Sequence, residues 1–154
     1  MTLSDILSPS RPRRRAVLKG AALACAGAAL PVAAQTPAIP EIPAMASFVA
    51  GRTVRWDNVA VDTPRLADNG YSVSLKLGVT PGLVVTSLHL FSEKNPQPVI
   101  AVFHFGPDTP RVQVETRVRL GGSQRIVAIA STATGALYGG LAEVLVTIAA
   151  CIEG

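Results

Sequence analysis

From Tyr71 onward the apolar side chains of this chain recur at every second position, in short runs closed off by glycine, proline, asparagine and aspartate. Tyr71, Val73, Leu75, Leu77 and Val79 alternate with Ser72, Ser74, Lys76 and Gly78. A period of two gathers one set of side chains on one face of an extended strand, and no helix can do that. Val84, Thr86, Leu88 and Leu90 continue the pattern after Pro81-Gly82. Val112, Val114, Thr116 and Val118 face one way, with Gln113, Glu115, Arg117 and Arg119 on the other. Val99 to Phe103 is apolar at every position, which predicts a central strand. Ile126 to Ala130 and Val144 to Ile148 complete the set, and a strand through Val54 to Val61 opens it. Turn residues separate the runs at Asp68-Asn69-Gly70, Thr80-Pro81-Gly82, Lys94-Asn95-Pro96, Gly106-Pro107-Asp108, Gly121-Gly122 and Gly139-Gly140. No stretch offers an apolar helical face, although Ala136 to Leu145 could form a brief helix. About seven short strands joined by turns predict an all-β, immunoglobulin-like β-sandwich over residues 48–148. Trp56 has no cysteine pair to pack on, so the disulfide hallmark of antibody domains is missing.

The net charge of +4 does not belong to that domain. Arg11, Arg13, Arg14, Arg15 and Lys19 stand against Asp5 alone in residues 1–34, and the remainder is balanced. Nucleic-acid binding by the domain therefore has no electrostatic basis. The basic stretch is followed by an Ala- and Leu-rich segment from Gly20 and ends on Val32-Ala33-Ala34, suited to signal peptidase. Arg14-Arg15-Ala16-Val17-Leu18-Lys19 is similar to the twin-arginine export signature. Gly20 to Ala34 is shorter than the roughly 20 residues that span a bilayer. Residues 1–34 thus read as a twin-arginine signal peptide. The expected location is periplasmic, with no membrane attachment after cleavage. Pro37, Pro40 and Pro43 make residues 35–47 an expected extended, Pro-rich linker.

Few residues offer chemistry. His89 and His104 stand in strands without a carboxylate or second histidine at ligand spacing, so no metal and no cofactor is expected. Arg117 and Arg119, with Glu115, read as a solvated face with cross-strand ion pairs, the alternative being a rim for a partner or anion. Cys25 lies in the leader, which leaves Cys151 as the lone cysteine of the exported chain. With the last strand ending near Ile148, residues 149–154 form a tail. Three residues beyond the strand would let the thiol stand off the body by up to roughly 10 Å. A thiol on a chain end is badly placed for a rigid catalytic pocket and well placed to carry a covalent adduct.

Four segments resemble a family. Ala67-Asp68-Asn69-Gly70 with Val73 is similar to the "AENG…V" segment of SoxY, the sulfur carrier of thiosulfate oxidation. Lys94-Asn95-Pro96-Gln97-Pro98 followed by Ala101-Val102-Phe103 resembles its "KNPxP…A.F" segment. Thr116-Arg117-Val118-Arg119-Leu120 is similar to its "TRIRL" strand, and Val144 to Ile148 to the "V.VTI" run before its terminal cysteine. The resemblance implies a non-enzymatic carrier that holds sulfur intermediates on Cys151. It implies a heterodimer with a SoxZ-like β-sandwich subunit, served by a c-type cytochrome and a hydrolase.

The tail departs from the family pattern. Gly-Gly-Cys-Gly-Gly is replaced by an arm of Ala149, Ala150, Ile152, Glu153 and Gly154 around Cys151. Alanine restricts the backbone where glycine would free it. Ile152 adds bulk, and Glu153 raises the thiol pKa by roughly half a unit. The alternative expectation is therefore a SoxY-like binding module that has lost or altered the carrier chemistry. A third, a thiol enzyme, requires His89 or His104 within hydrogen-bond reach of the sulfur.

Overall fold

The computed structural model of the protein describes residues 38–150. Residues 1–34, expected to be a signal peptide with Arg14 and Arg15 in it, lie outside these, as do Cys151, Ile152, Glu153 and Gly154.

The described residues form a β-sandwich of two sheets. The strands are β1 (Val54–Arg55), β2 (Val59–Asp62), β3 (Leu66–Asn69), β4 (Val73–Val79), β5 (Val85–Ser92), β6 (Val99–His104), β7 (Gln113–Val118), β8 (Gln124–Thr132) and β9 (Leu137–Ile148). The larger sheet runs β1-β9-β8-β5-β6, with β3 also paired to β9, and the smaller runs β2-β4-β7. Alternation fixes which side faces in. Val73, Leu75, Leu77 and Val79 of β4 meet Leu88, Leu90, Ile126, Ala128, Ala130 and Val144 in the main core. Each fully buried leucine contributes about 1.5–3 kcal/mol. Lys76 lies opposite Glu115 on the outer face of the small sheet and is ion-paired with it at 3.1 Å.

Several expectations are corrected. The opening run splits into β1 and β2, which enter different sheets, and β3 is an additional strand that carries Asp68 and Asn69. Nine strands result among the described residues, and the first three are short. Residues 136–145, read as a possible helix, lie almost wholly within β9. Gly139-Gly140 is not a turn but mid-strand. Its cause is close approach: a Cβ on Gly140 would stand 2.2 Å from the Val59 carbonyl oxygen, and one on Gly139 2.8 Å from the Trp56 ring. The chain crosses between sheets there, and only glycine leaves room. Gly140→Ala is expected to cost about 2 kcal/mol, read from the midpoint of urea unfolding, because the obstacle is backbone.

Residues 35–47, expected to be extended, are helical from Pro43: α1 spans Pro43–Val49. Proline at the first helical position costs no hydrogen bond, and Ala50 ends the helix in the left-handed region at φ 49°. The Arg52 guanidinium donates to the Phe48 and Val49 carbonyls and caps the last turn. Seven residues cannot hold a helix alone. Ile42, Met45 and Phe48 hold it against the outer face of the large sheet, over Phe91, Val127, Ile129 and Leu137. β8 is thereby buried on both faces. β6, whose apolar run predicted a central strand, lies instead at the sheet edge.

A buried-side ion pair fixes the approach to α1. Arg125 donates from Nε and Nη2 to the two carboxylate oxygens of Glu93, at 3.0 and 2.6 Å, and from Nη1 to the Ala38 carbonyl. The Arg125 hydrogen bond holds Glu93 down at about 2, against an ordinary value of 4.5. A depressed carboxylate stabilises the fold above its unfolded pKa and loses that contribution as pH falls through its folded one. Stability should therefore drop between about pH 4.5 and 2, by on the order of 1 kcal/mol for this half-screened pair. Glu93→Gln should remove that part of the acid limb in pH-dependent urea unfolding.

Candidate functional site

The four segments that resemble SoxY are far apart in sequence and meet at one end of the sandwich, where the chain leaves β9. Gly70 N–H donates to the Ile148 carbonyl at 2.8 Å, and the Gly70 carbonyl accepts from Leu120 N–H at 2.8 Å. The Leu120 carbonyl in turn accepts from Ala150 N–H at 3.1 Å. Asn69 pairs with Ile148 across the parallel β3–β9 ladder. Ser123 Oγ closes the opposite side of β9, accepting from Val146 N–H at 2.8 Å.

Leu120 can serve as this link because the loop around it is held. The Asn95 amide donates to the Arg119 carbonyl at 2.9 Å and accepts from Gly121 N–H at 3.0 Å and from Gln124 Nε2 at 2.9 Å. Lys94 N–H donates to Gln124 Oε1 at 2.9 Å, and Asn95 N–H to Ser92 Oγ at 3.2 Å. The Lys94-Asn95-Pro96 turn thus binds the β5–β6 loop to the β7–β8 loop. The bonds run from Asn95 through Leu120 to Ala150. Asn95→Ala removes three side-chain bonds, among them the one that holds the Gly121 amide. It should cost about 2 kcal/mol and raise the hydrogen-exchange rate of the Ala150 amide.

Gly70 sits at the crossing. A Cβ there would stand 2.0 Å from the Leu120 carbonyl oxygen and 2.9 Å from the Ala150 nitrogen. The last strand ends at Ile148, as the alternation indicated. Ala149 is exposed, but Ala150 is only 4 % exposed and is hydrogen-bonded to the body. Of the residues assigned to the arm, these two are described, and one of them is tied down. Around the exit the surface carries Tyr71, Ile148 and Arg119, whose guanidinium carbon lies 5.8 Å from the Tyr71 ring centre. Arg117 reaches Ser72 Oγ at 3.4 Å.

The histidines occupy a different place. His89 stacks on Phe48 of α1 at 3.9 Å between ring centres, and its Nε2 lies 3.2 Å from Ser87 Oγ. Burial, with His104 and Arg52 nearby, pushes its pKa below the ordinary value. His104 lies opposite Ser87, toward the start of β5, whereas the loop that holds Leu120 begins beyond Ser92 at its end. Among the described residues no three His, Cys, Asp or Glu side chains gather as a metal site, and no helix is long and apolar enough to cross a membrane.

What sequence reading missed was the roles of Asn95, Leu120 and Gly70. Their family-like motifs were visible, but nothing in the linear order says that they brace one another.

A family model described as sulfur oxidation protein SoxY matches residues 44–151. The fold is similar to the sulfur carrier protein SoxY from Chlorobium limicola f thiosulfatophilum, at 26% identity and TM-score 0.56, over 68% of this chain and 94% of that one. A superoxide reductase (neelaredoxin) from Ignicoccus hospitalis gives 16% identity and TM-score 0.46, over 58% of this chain and 80% of that one. The human F-spondin reeler domain gives 11% and 0.43, over 60% and 91%. No curated protein sequence matches the chain.

Proposed function

Because the chain belongs to the SoxY family, we propose that it is a periplasmic sulfur carrier of the Sox system that holds thiosulfate-derived intermediates on Cys151. Residues 1–34 are its twin-arginine export signal, and a SoxZ-like subunit is its heterodimer partner. The observation that carries this reading is the convergence of the four family-like segments on the clamp at Ala150, one residue before Cys151. A scaffold that fixes the chain immediately before a lone thiol suits covalent carriage.

The chemistry is a relay in which the protein supplies the attachment point. A c-type cytochrome joins the Cys151 sulfur to the outer sulfur of thiosulfate, taking two electrons as the thiol proton leaves. A hydrolase then uses water to cleave the bond to the sulfonate group, releasing sulfate and leaving a persulfide on Cys151. Only the thiolate reacts, and Glu153 makes it slightly harder to form.

Intact-mass analysis of protein from thiosulfate-grown cells tests the reading. Thiosulfonate or persulfide adducts on Cys151 are expected. An unmodified cysteine under turnover would overturn carriage and favour a binding module on the same scaffold. The replacement of the flanking glycines by Ala149, Ala150 and Ile152 is what keeps that second reading in play.

A further inference from the structure

Arg117 of β7 and Arg119, one residue past its end, are exposed on the same face and lie about 7 Å apart along the chain. The cross-strand ion pairing expected of this face forms at Glu115, which takes Lys76 at 3.1 Å, and stops there. Among the described residues neither Arg117 nor Arg119 is ion-paired with a carboxylate. Two like charges so placed repel unless an anion joins them.

Their contacts draw both guanidinium groups to one place. The Arg119 guanidinium carbon lies 5.8 Å from the Tyr71 ring centre, and Arg117 Nη1 donates to Ser72 Oγ at 3.4 Å. Tyr71 and Ser72 directly follow Gly70, and Arg119 directly precedes Leu120. Gly70 and Leu120 are the residues that enclose Ala150. Its N–H bonds the Leu120 carbonyl at 3.1 Å, and a Cβ on Gly70 would stand 2.9 Å from its nitrogen. Cys151 follows one α-carbon step of about 3.8 Å later. Both cations therefore flank the point from which the chain continues to the thiol.

We propose that Arg117 and Arg119 form an anion cradle beside the exit, which holds the sulfonate end of a group carried on Cys151 and favours anionic sulfur chains over neutral ones. On the carrier reading above, these are the residues that select the cargo. A guanidinium offers a planar fork of N–H donors that matches two oxygens of an oxyanion. A thiosulfonate presents such oxygens at its free end. A persulfide presents one sulfur and no oxygen. Hydrolysis that releases sulfate therefore also removes what the arginines hold, and the shortened group is freed for the next step.

The test uses the full chain with Cys25→Ser, so that Cys151 is the reacting thiol. Its thiolate attacks the central sulfur–sulfur bond of tetrathionate, a dianion. Thiosulfate leaves with the electron pair, and a thiosulfonate stays on Cys151 with no other oxidant. Neutral dithiodipyridine reports the same attack without charge, so the ratio of the two rates cancels any change in thiolate content. At about 0.01 M salt that ratio should fall roughly threefold in Arg119→Gln and roughly tenfold when Arg117→Gln is added, with circular dichroism unchanged. Arg119→Lys should keep most of the ratio. Arg55→Gln, beside the start of β9, should keep all of it. Loading with tetrathionate should also shield Arg119 from phenylglyoxal, read as the mass of its peptide. A ratio unchanged in the double variant, one lowered equally by Arg55→Gln, or equal labelling of Arg119 before and after loading would each overturn the proposal. Carriage would stand in all three cases, because adducts on Cys151 from thiosulfate-grown cells decide it separately.

Discussion

Cys151→Ser is expected to abolish thiosulfate-dependent electron delivery to the c-type cytochrome while changing stability by less than about 0.5 kcal/mol. A serine hydroxyl has no accessible sulfur–sulfur chemistry, so the loss should be complete and not graded. The last hydrogen bond of the described body is made by Ala150, and it uses backbone groups that serine leaves untouched. Cytochrome reduction by the reconstituted system, with intact mass and urea unfolding measured alongside, separates the cases. Undiminished electron transfer in the serine variant would remove the carrier role from this cysteine.

Gly70→Ala should produce the largest loss of stability of any single methyl addition in the described chain, about 3 kcal/mol. Its methyl would enter the space of the Leu120 carbonyl at 2.0 Å, and that carbonyl is the acceptor for Ala150. Both neighbours are backbone, so neither can step aside by a change of rotamer. Relief requires moving the loop from Arg119 to Gly121, which Asn95 holds, or giving up the Ala150 bond. Either route loosens the chain just before Cys151. The expected result is a lowered urea midpoint together with faster hydrogen exchange at Ala150. Loss of stability with the Ala150 amide still protected would show that the clamp is not where the strain goes.

The core faces could be read from the chain because alternation ties each apolar residue to one side of a strand, and Val73 to Val79 behave accordingly. Continuous apolar runs were a weaker guide. Ile126 to Ala130 is buried on both faces because α1 covers the second one, whereas Val99 to Phe103 lies at an edge. Nothing in either run distinguishes a covering helix from open solvent. The helix itself was hidden by its prolines, although Ile42, Met45 and Phe48 carry the spacing of a helical stripe. Gly139 and Gly140 imitate a turn, since the crowding that requires them comes from Trp56 and Val59, some eighty residues earlier. The motifs around the exit were legible as words, and their mutual bracing was not. That bracing is made of backbone carbonyls and one asparagine amide, contacts that leave no periodic trace in a sequence.

The bond from Ala150 to Leu120 also sets the terms on which any enzyme meets the thiol. Consecutive α-carbons are 3.8 Å apart, so Cys151 begins one such step from a fixed point, far less than an arm swinging from Ile148 would allow. On the carrier role proposed above, a tether that short favours a shallow reaction centre brought to the end of the sandwich, and Tyr71, Arg119 and Ile148 are the surface such an enzyme would meet.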